Sequence, residues 1–130
     1  AKDMEKIASG GELSRLLLAL KVCLVTNTRG TSLIFDEIDR GIGGATAEAV
    51  GNRLASLAER DQILLVTHSP QVASKAHKHW SVRKIAEKKN PPVTLLDELS
   101  QDAKVAELAR MISGEVVSKE ALAAAHRLMN

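Results

Sequence analysis

Seven residues, Leu33-Ile34-Phe35-Asp36-Glu37-Ile38-Asp39, constrain this chain more than any other stretch. An apolar run climbs to two adjacent carboxylates and falls at once into a glycine-rich turn, Gly41-Ile42-Gly43-Gly44. Leu33, Ile34 and Phe35 have the composition of a strand buried on both faces, as in a parallel sheet. Placing Asp36 and Glu37 at the carboxyl end of such a strand costs desolvation energy, and that end is where open α/β sheets keep their ligands. A metal ion for one carboxylate and a water for the other is the simplest arrangement that offsets the cost. Acidic residues also cap strands and start helices, so the pair takes its meaning from its surroundings.

Residues 1–8 carry no strong period, and their abrupt start suggests a piece cut from something longer. Ser9-Gly10-Gly11-Glu12 then leads into Leu13, Leu16, Leu17, Leu20 and Leu24 at helical spacing. Ser9 reads as an N-cap, with Glu12 completing a capping box. The two glycines leave backbone N–H groups bare at the positive end of the helix dipole, where an anion such as phosphate can bind. A capped amphipathic helix with a flexible entry accounts for the same residues. Asn27-Thr28-Arg29-Gly30 breaks that helix, and the Asp-Glu strand follows over about Thr31 to Ile38.

After the glycine turn, Ala47, Val50, Leu54, Leu57 and Ala58 trace one face of a helix over roughly Thr46 to Glu59. Ile63-Leu64-Leu65-Val66-Thr67 reads as a second buried strand, ending in His68-Ser69-Pro70, and Pro70 opens a short helix through about Ala76. Alternating helix and strand favours a parallel sheet with crossover helices. From Lys75 to Lys89 the chain turns basic. Trp80–Arg83 alternates like an edge strand, Asn90-Pro91-Pro92 reads as a turn, and Val93 to Leu96 makes the return strand of a hairpin. Its basic loop is either a solvated tip or a surface that touches a phosphate backbone. Val105, Leu108, Ala109 and Ile112 mark a helix that stops at Gly114, and Ser118 caps a last one carrying Leu122, Ala125 and Met129.

Composition removes several function classes. The 130 residues suffice for one modest domain, and 45% hydrophobic with 26% charged residues is ordinary for a globular protein. Aromatics number two, Phe35 and Trp80, which argues against base stacking as a mode of binding. A net charge of +2 does not by itself imply nucleic acid. The single cysteine, Cys23, allows no internal disulfide and fits a reducing cytoplasm, and its apolar helical setting suits packing better than thiol chemistry. No apolar stretch is long enough to span a bilayer, and no signal-peptide pattern begins the chain. The expectation is a soluble, cytoplasmic protein. His77, His79 and His126 lack metal-site spacing and read as surface residues.

The Ser-Gly-Gly-Glu helix start, the strand ending in Asp-Glu and the strand ending in His68 resemble, in order and spacing, the second half of an ABC-type ATPase head. The strings ASGGELSR, IFDEIDRGIGG and VTHSPQVA, with the tail segment Val105-Ala106-Glu107-Leu108-Ala109-Arg110-Met111, resemble more specifically the RecN family of bacterial DNA repair proteins. These are relatives of the SMC proteins, with a long coiled coil between the two halves of the head. The resemblance runs from about Lys6 to the end. It implies an α/β fold for residues 1–130: the C-terminal lobe of an ABC/SMC-type P-loop ATPase head, mainly parallel strands with crossover helices, plus a small C-terminal hairpin and helices.

Residue by residue, the resemblance makes Asp36 the Walker B ligand of Mg²⁺, through water, and Glu37 the general base that orients the water attacking the γ-phosphate. It makes His68 the switch histidine on that phosphate. Ser9, Gly10, Gly11 and Glu12 form the signature motif, closing over ATP held by the opposite head, and Gly43 and Gly44 fall in the D-loop. The implied partners are an N-terminal Walker A lobe, a second head in an ATP-dependent homodimer, and DNA, with no membrane. The implied role is ATP hydrolysis that drives assembly and release in DNA double-strand break repair and recombination, in the bacterial cytoplasm at the nucleoid. Two departures stand out. Gly43 occupies the position where ABC proteins usually carry a D-loop Asp, and no G-x-x-x-x-G-K-[ST] motif occurs, so this chain alone is expected to be inactive. Two other readings compete: the head of another SMC or ABC-class ATPase, and a non-catalytic dimerisation or DNA-binding module that kept the fold. The intact Glu37 and His68 argue against the latter.

Overall fold

The computed structural model describes residues 30, 32–39, 41–85 and 91–130, which fall into two compact units dividing between Lys75 and Ala76. In the first unit, β1 (Ser32–Asp36) and β2 (Gln62–Val66) pair in parallel, joined by helix α1 (Gly44–Ala58), and α2 (Pro70–Ala73) follows β2. The register sets Ser32 beside Gln62 and Asp36 beside Val66, so both strands end at the same edge. The Ser32 hydroxyl donates to Gln62 Oε1 at 2.7 Å, pinning the opposite end.

α1 follows from its periodicity: Ala47, Val50, Leu54 and Leu57 recur at helical spacing and are all buried. With Phe35 and Val72 they form the core of this unit, and Leu33, Ile38, Ile42, Ile63 and Leu65 pack at its margin. Full burial of a Phe or Leu side chain stabilises by about 1.5–3 kcal/mol, so this helix-on-sheet contact is a main source of stability among the described residues. Gly51 is buried where α1 meets α2, and a Cβ there would lie 3.1 Å from the Gln71 carbonyl oxygen. The glycine is what permits that approach.

The strands do not match the expectation of burial on both faces. Leu33, Phe35, Ile63 and Leu65 turn towards α1, whereas Ile34 is 74% exposed and Leu64 and Val66 are exposed with it. A pleated strand presents alternate residues to opposite faces, and among the described residues a helix covers only one. α2 is also shorter than its proline start suggested, ending at Ala73.

The second unit pairs an antiparallel hairpin, β3 (Trp80–Ile85) with β4 (Val93–Glu98), and adds helices α3 (Gln101–Ser113) and α4 (Lys119–Met129). Both strands run longer than their alternation indicated. The Ser100 hydroxyl caps α3 by accepting from Ala103 N–H, and Ser118 caps α4 by accepting from Ala121 N–H at 3.1 Å. Gly114 ends α3 with φ 82, a left-handed turn open to glycine, and its N–H donates to the Arg110 carbonyl at 2.8 Å. α3 and α4 pack against each other, with Leu108 and Ala109 of one and Ala121 and Ala125 of the other buried.

His79 does not fit its reading as a surface residue. It is half-buried, and its Nδ1 is buried without a hydrogen-bond partner. Lys104 is buried close by, its ammonium donating to the Ala76 carbonyl at 2.6 Å. Burial pushes both pKa values down, and Lys104 adds to the effect at His79 while Glu107 opposes it. His77 and His126 are exposed, as expected.

Candidate functional site

Because β1 and β2 run parallel and in register, the residues just beyond them emerge side by side. Glu37 N–H donates to the Val66 carbonyl at 2.9 Å, continuing the ladder one step past β1. Glu37 then takes φ 45, a left-handed backbone that costs a non-glycine residue about 1–2 kcal/mol. Such conformations persist where surrounding contacts over-determine them, and they cluster at sites of chemistry. From β2 the chain passes through Thr67, His68 and Ser69 before Pro70 opens α2.

The two strand-end side chains meet. His68 Nε2 lies 2.6 Å from Glu37 Oε1. A carboxylate only accepts, so the imidazole N–H donates. The His68 side chain is 80% exposed and that of Glu37 35%, so the pair stands at the surface, accessible to a ligand. Beside it opens a cleft of about 290 Å³, lined by Glu37, Asp39 and Ile42 from one loop and by His68, Ser69 and Gln71 from the other. That volume sits at the lower end of ligand pockets.

Beneath the pair is a second link. The Thr67 hydroxyl donates to Asp39 Oδ2 and accepts from Ser69 N–H at 2.9 Å. Asp39 is only 4% exposed. The Ser69 hydroxyl donates in turn to Gln71 Oε1 at 3.0 Å.

Of the residues singled out from the sequence, Glu37 and His68 are brought into contact. Asp36 lies at the same strand end but is exposed on the face shared with Ile34, away from α1. Gly43 and Gly44 start α1, exposed, at the far end of the same loop, and do not line the cleft. Ser9, Gly10, Gly11 and Glu12 lie outside the described residues, as does the leucine-patterned helix after them. Among the described residues no group of three or more His, Cys, Asp or Glu is placed to hold a metal ion. Asp36 and Glu37 therefore suit a hard cation only when other oxygens, such as nucleotide phosphates, complete its shell. Thr67, Ser69 and Gln71 were not anticipated as site residues. Thr67 directly precedes the histidine much as Asp36 directly precedes Glu37, but a threonine after an apolar run reads simply as more strand.

The basic stretch contributes less free charge than its composition suggests. Lys78 pairs with Glu98 at 2.9 Å and Arg83 with Asp97 at 2.5 Å across the hairpin, while Lys88 and Lys89 lie outside the described residues. None of the helices among the described residues is long and apolar enough to cross a membrane.

The fold is that of the SMC ATPase head. A solved structure from work on the ATP-driven dimerization and DNA-stimulated activation of SMC ATPases superposes with a TM-score of 0.68, over 85% of this chain and 66% of that one, at 19% identity. Sequence relatives narrow the class. The chain is 46% identical to the DNA repair protein RecN of Xylella fastidiosa over 98% of its length, and 46% identical to that of Rickettsia conorii over all of it. The RecN of Mycobacterium leprae is 45% identical over 98% of the chain. The chain spans 21–24% of the length of these relatives and corresponds to the C-terminal part of RecN. No protein-family model matches it.

Proposed function

We propose that residues 1–130 act as the C-terminal half of a RecN-like ATPase head, which completes a nucleotide site with a Walker A half and hydrolyses ATP. The observation that carries this reading is the 2.6 Å contact between Glu37 and His68 at the shared carboxyl edge of two parallel strands. The face bearing Ile34, Leu64 and Val66, which no helix among the described residues covers, supports it as well, since parallel sheets are covered on both faces and a second lobe would supply cover.

In this reading Glu37 is the general base. Its carboxylate accepts the proton of the attacking water as that oxygen closes on the γ-phosphorus, a role worth about 10²–10⁴ in rate. While His68 donates to Glu37, a lone pair of the carboxylate is occupied. When a γ-phosphate enters the cleft, the exposed imidazole turns its N–H to the phosphate oxygens, steadies the charge that develops there and releases Glu37 for the water. Asp36 would hold Mg²⁺ through water, and the ion would neutralise charge on the phosphates. Ser9, Gly10, Gly11 and Glu12 would close over ATP on the opposite head, and Gly43 and Gly44 would lie near the contact between heads. ATP thereby joins two heads and hydrolysis parts them. Through the relatives' role in DNA repair, we place this cycle on DNA during double-strand break repair and recombination, in the bacterial cytoplasm.

The test is ATP turnover by the complete protein with and without Glu37→Gln, alongside ATP-dependent dimerisation. The substitution should lower kcat by at least about a hundredfold while ATP-bound dimers accumulate. Normal turnover by Glu37→Gln would overturn the assignment.

A further inference from the structure

We propose that Asp39 and Thr67 form a positioning pair that holds Glu37 and His68 in register, and that hydrolysis depends on it although neither residue carries out the chemistry. The inference rests on the ATPase reading above. It starts from a weakness in the site: the Glu37–His68 bond joins a part-exposed carboxylate, 35% accessible, to an imidazole that is 80% accessible. Exposed charged pairs contribute little to their own geometry, because water competes for each partner and long side chains lose entropy when fixed. The frame beneath is placed to help set the 2.6 Å distance between them.

Among the described residues, two ties run between the loops. One is the backbone bond from Glu37 N–H to the Val66 carbonyl, at 2.9 Å. The other is the Thr67 hydroxyl on Asp39 Oδ2. Each tie lies within two residues of Glu37 on one loop and of His68 on the other, so both act close to the reacting pair. The hydroxyl cannot drift, because its proton goes to Asp39 while a lone pair accepts Ser69 N–H at 2.9 Å. Asp39 cannot drift either. It is 4% exposed, and its own carbonyl accepts Ile42 N–H at 3.0 Å, which folds the turn back on itself. A buried carboxylate stripped of its donor would seek water and pull the turn outward. Glu37, held at φ 45 against its backbone preference, would then relax and carry its carboxylate away from His68.

The experiment compares the complete protein with Thr67→Val, which keeps the shape and deletes the hydroxyl, and with Thr67→Ser, which restores it. Steady-state ATP hydrolysis is measured together with ¹⁵N-edited spectra of the His68 imidazole. Thr67→Val should lower kcat by about tenfold or more with KM within about twofold, since displacements of an ångström cost up to about a hundredfold. Thr67→Ser should stay within about threefold, again because its geometry is retained. In a Glu37→Gln background Thr67→Val should cost nothing further, because it acts through that carboxylate. The His68 ring resonances should shift in Thr67→Val and not in Thr67→Ser. Unchanged kcat in Thr67→Val, or a loss that multiplies with that of Glu37→Gln, would overturn the proposal. Absence of turnover in the unsubstituted protein would sink the ATPase reading instead. The imidazole spectra would then decide the pair alone, and identical His68 resonances in Thr67→Val would refute it.

Discussion

Replacing Gly51 by alanine sets two effects against each other, and the structure decides between them. Helix propensity favours alanine over glycine by about 0.8–1 kcal/mol in a helix interior, so at an open position the change would stabilise. At Gly51 the new Cβ would lie 3.1 Å from Gln71 O, 3.2 Å from Val72 Cα and 3.2 Å from Lys75 Cγ. The lysine chain can swing aside. The other two are backbone atoms of α2, so the short helix has to move as a body by a few tenths of an ångström. Overpacking of a fitted interface costs about 1–3 kcal/mol, which leaves a net loss of about 1 kcal/mol after the propensity gain. The displacement also reaches the site, because Pro70 at the start of α2 is two residues from His68. In the complete protein, hydrogen exchange of the β2–α2 segment should therefore speed up by about fivefold, the factor matching 1 kcal/mol. Asn52→Ala, next along α1 on its exposed side, is the control and should slow exchange or leave it alone. Slower exchange in Gly51→Ala would show that α2 yields freely and that the contact does not constrain the site.

Two further outcomes concern the second unit. Ser118→Ala removes the hydroxyl that accepts Ala121 N–H and should destabilise α4 by about 1 kcal/mol, read as faster exchange of amides 119–129, with Ser118→Asp restoring protection. Burial holds the pKa of His79 below its ordinary 6.5, so the unfolded chain binds the extra proton first. Stability of the hairpin and helices should be intact above about pH 6.5 and fall as pH drops below it, and His79→Gln should flatten that fall in an exchange series from about pH 7.5 to 5.

Much of the fold was legible because local pattern carried it. The apolar runs ending in Glu37 and His68 placed both strands, the spacing of Val50, Leu54 and Leu57 placed α1, and Ser118 and Gly114 marked helix ends where they occur. The strand-end logic put Glu37 and His68 at carboxyl ends of strands, and their contact follows only once those strands pair parallel and in register. What escaped depends on contacts distant in sequence. Asp39 and Thr67 are 28 positions apart and meet only once the register is set. Gly51, inside a helical pattern, reads as a propensity defect until α2 packs on it. His79 read as a surface residue because it lacks metal-site spacing, whereas it is half-buried near Lys104 and Glu107 of α3, more than twenty residues on. Burial of Ile34 was overread for the opposite reason, since composition reports what a face requires and not what covers it.

The left-handed turn at Glu37 has a consequence for which residues position 37 can hold. Glycine or asparagine would relax the backbone there, and aspartate would suit it better than glutamate, yet each falls short of His68 by reach or by charge. A chain selected for stability alone would abandon glutamate at this site. Under the catalytic role proposed for Glu37, durability is surrendered there for reach, and directed evolution towards a hardier protein would be drawn first to the residue that role needs most.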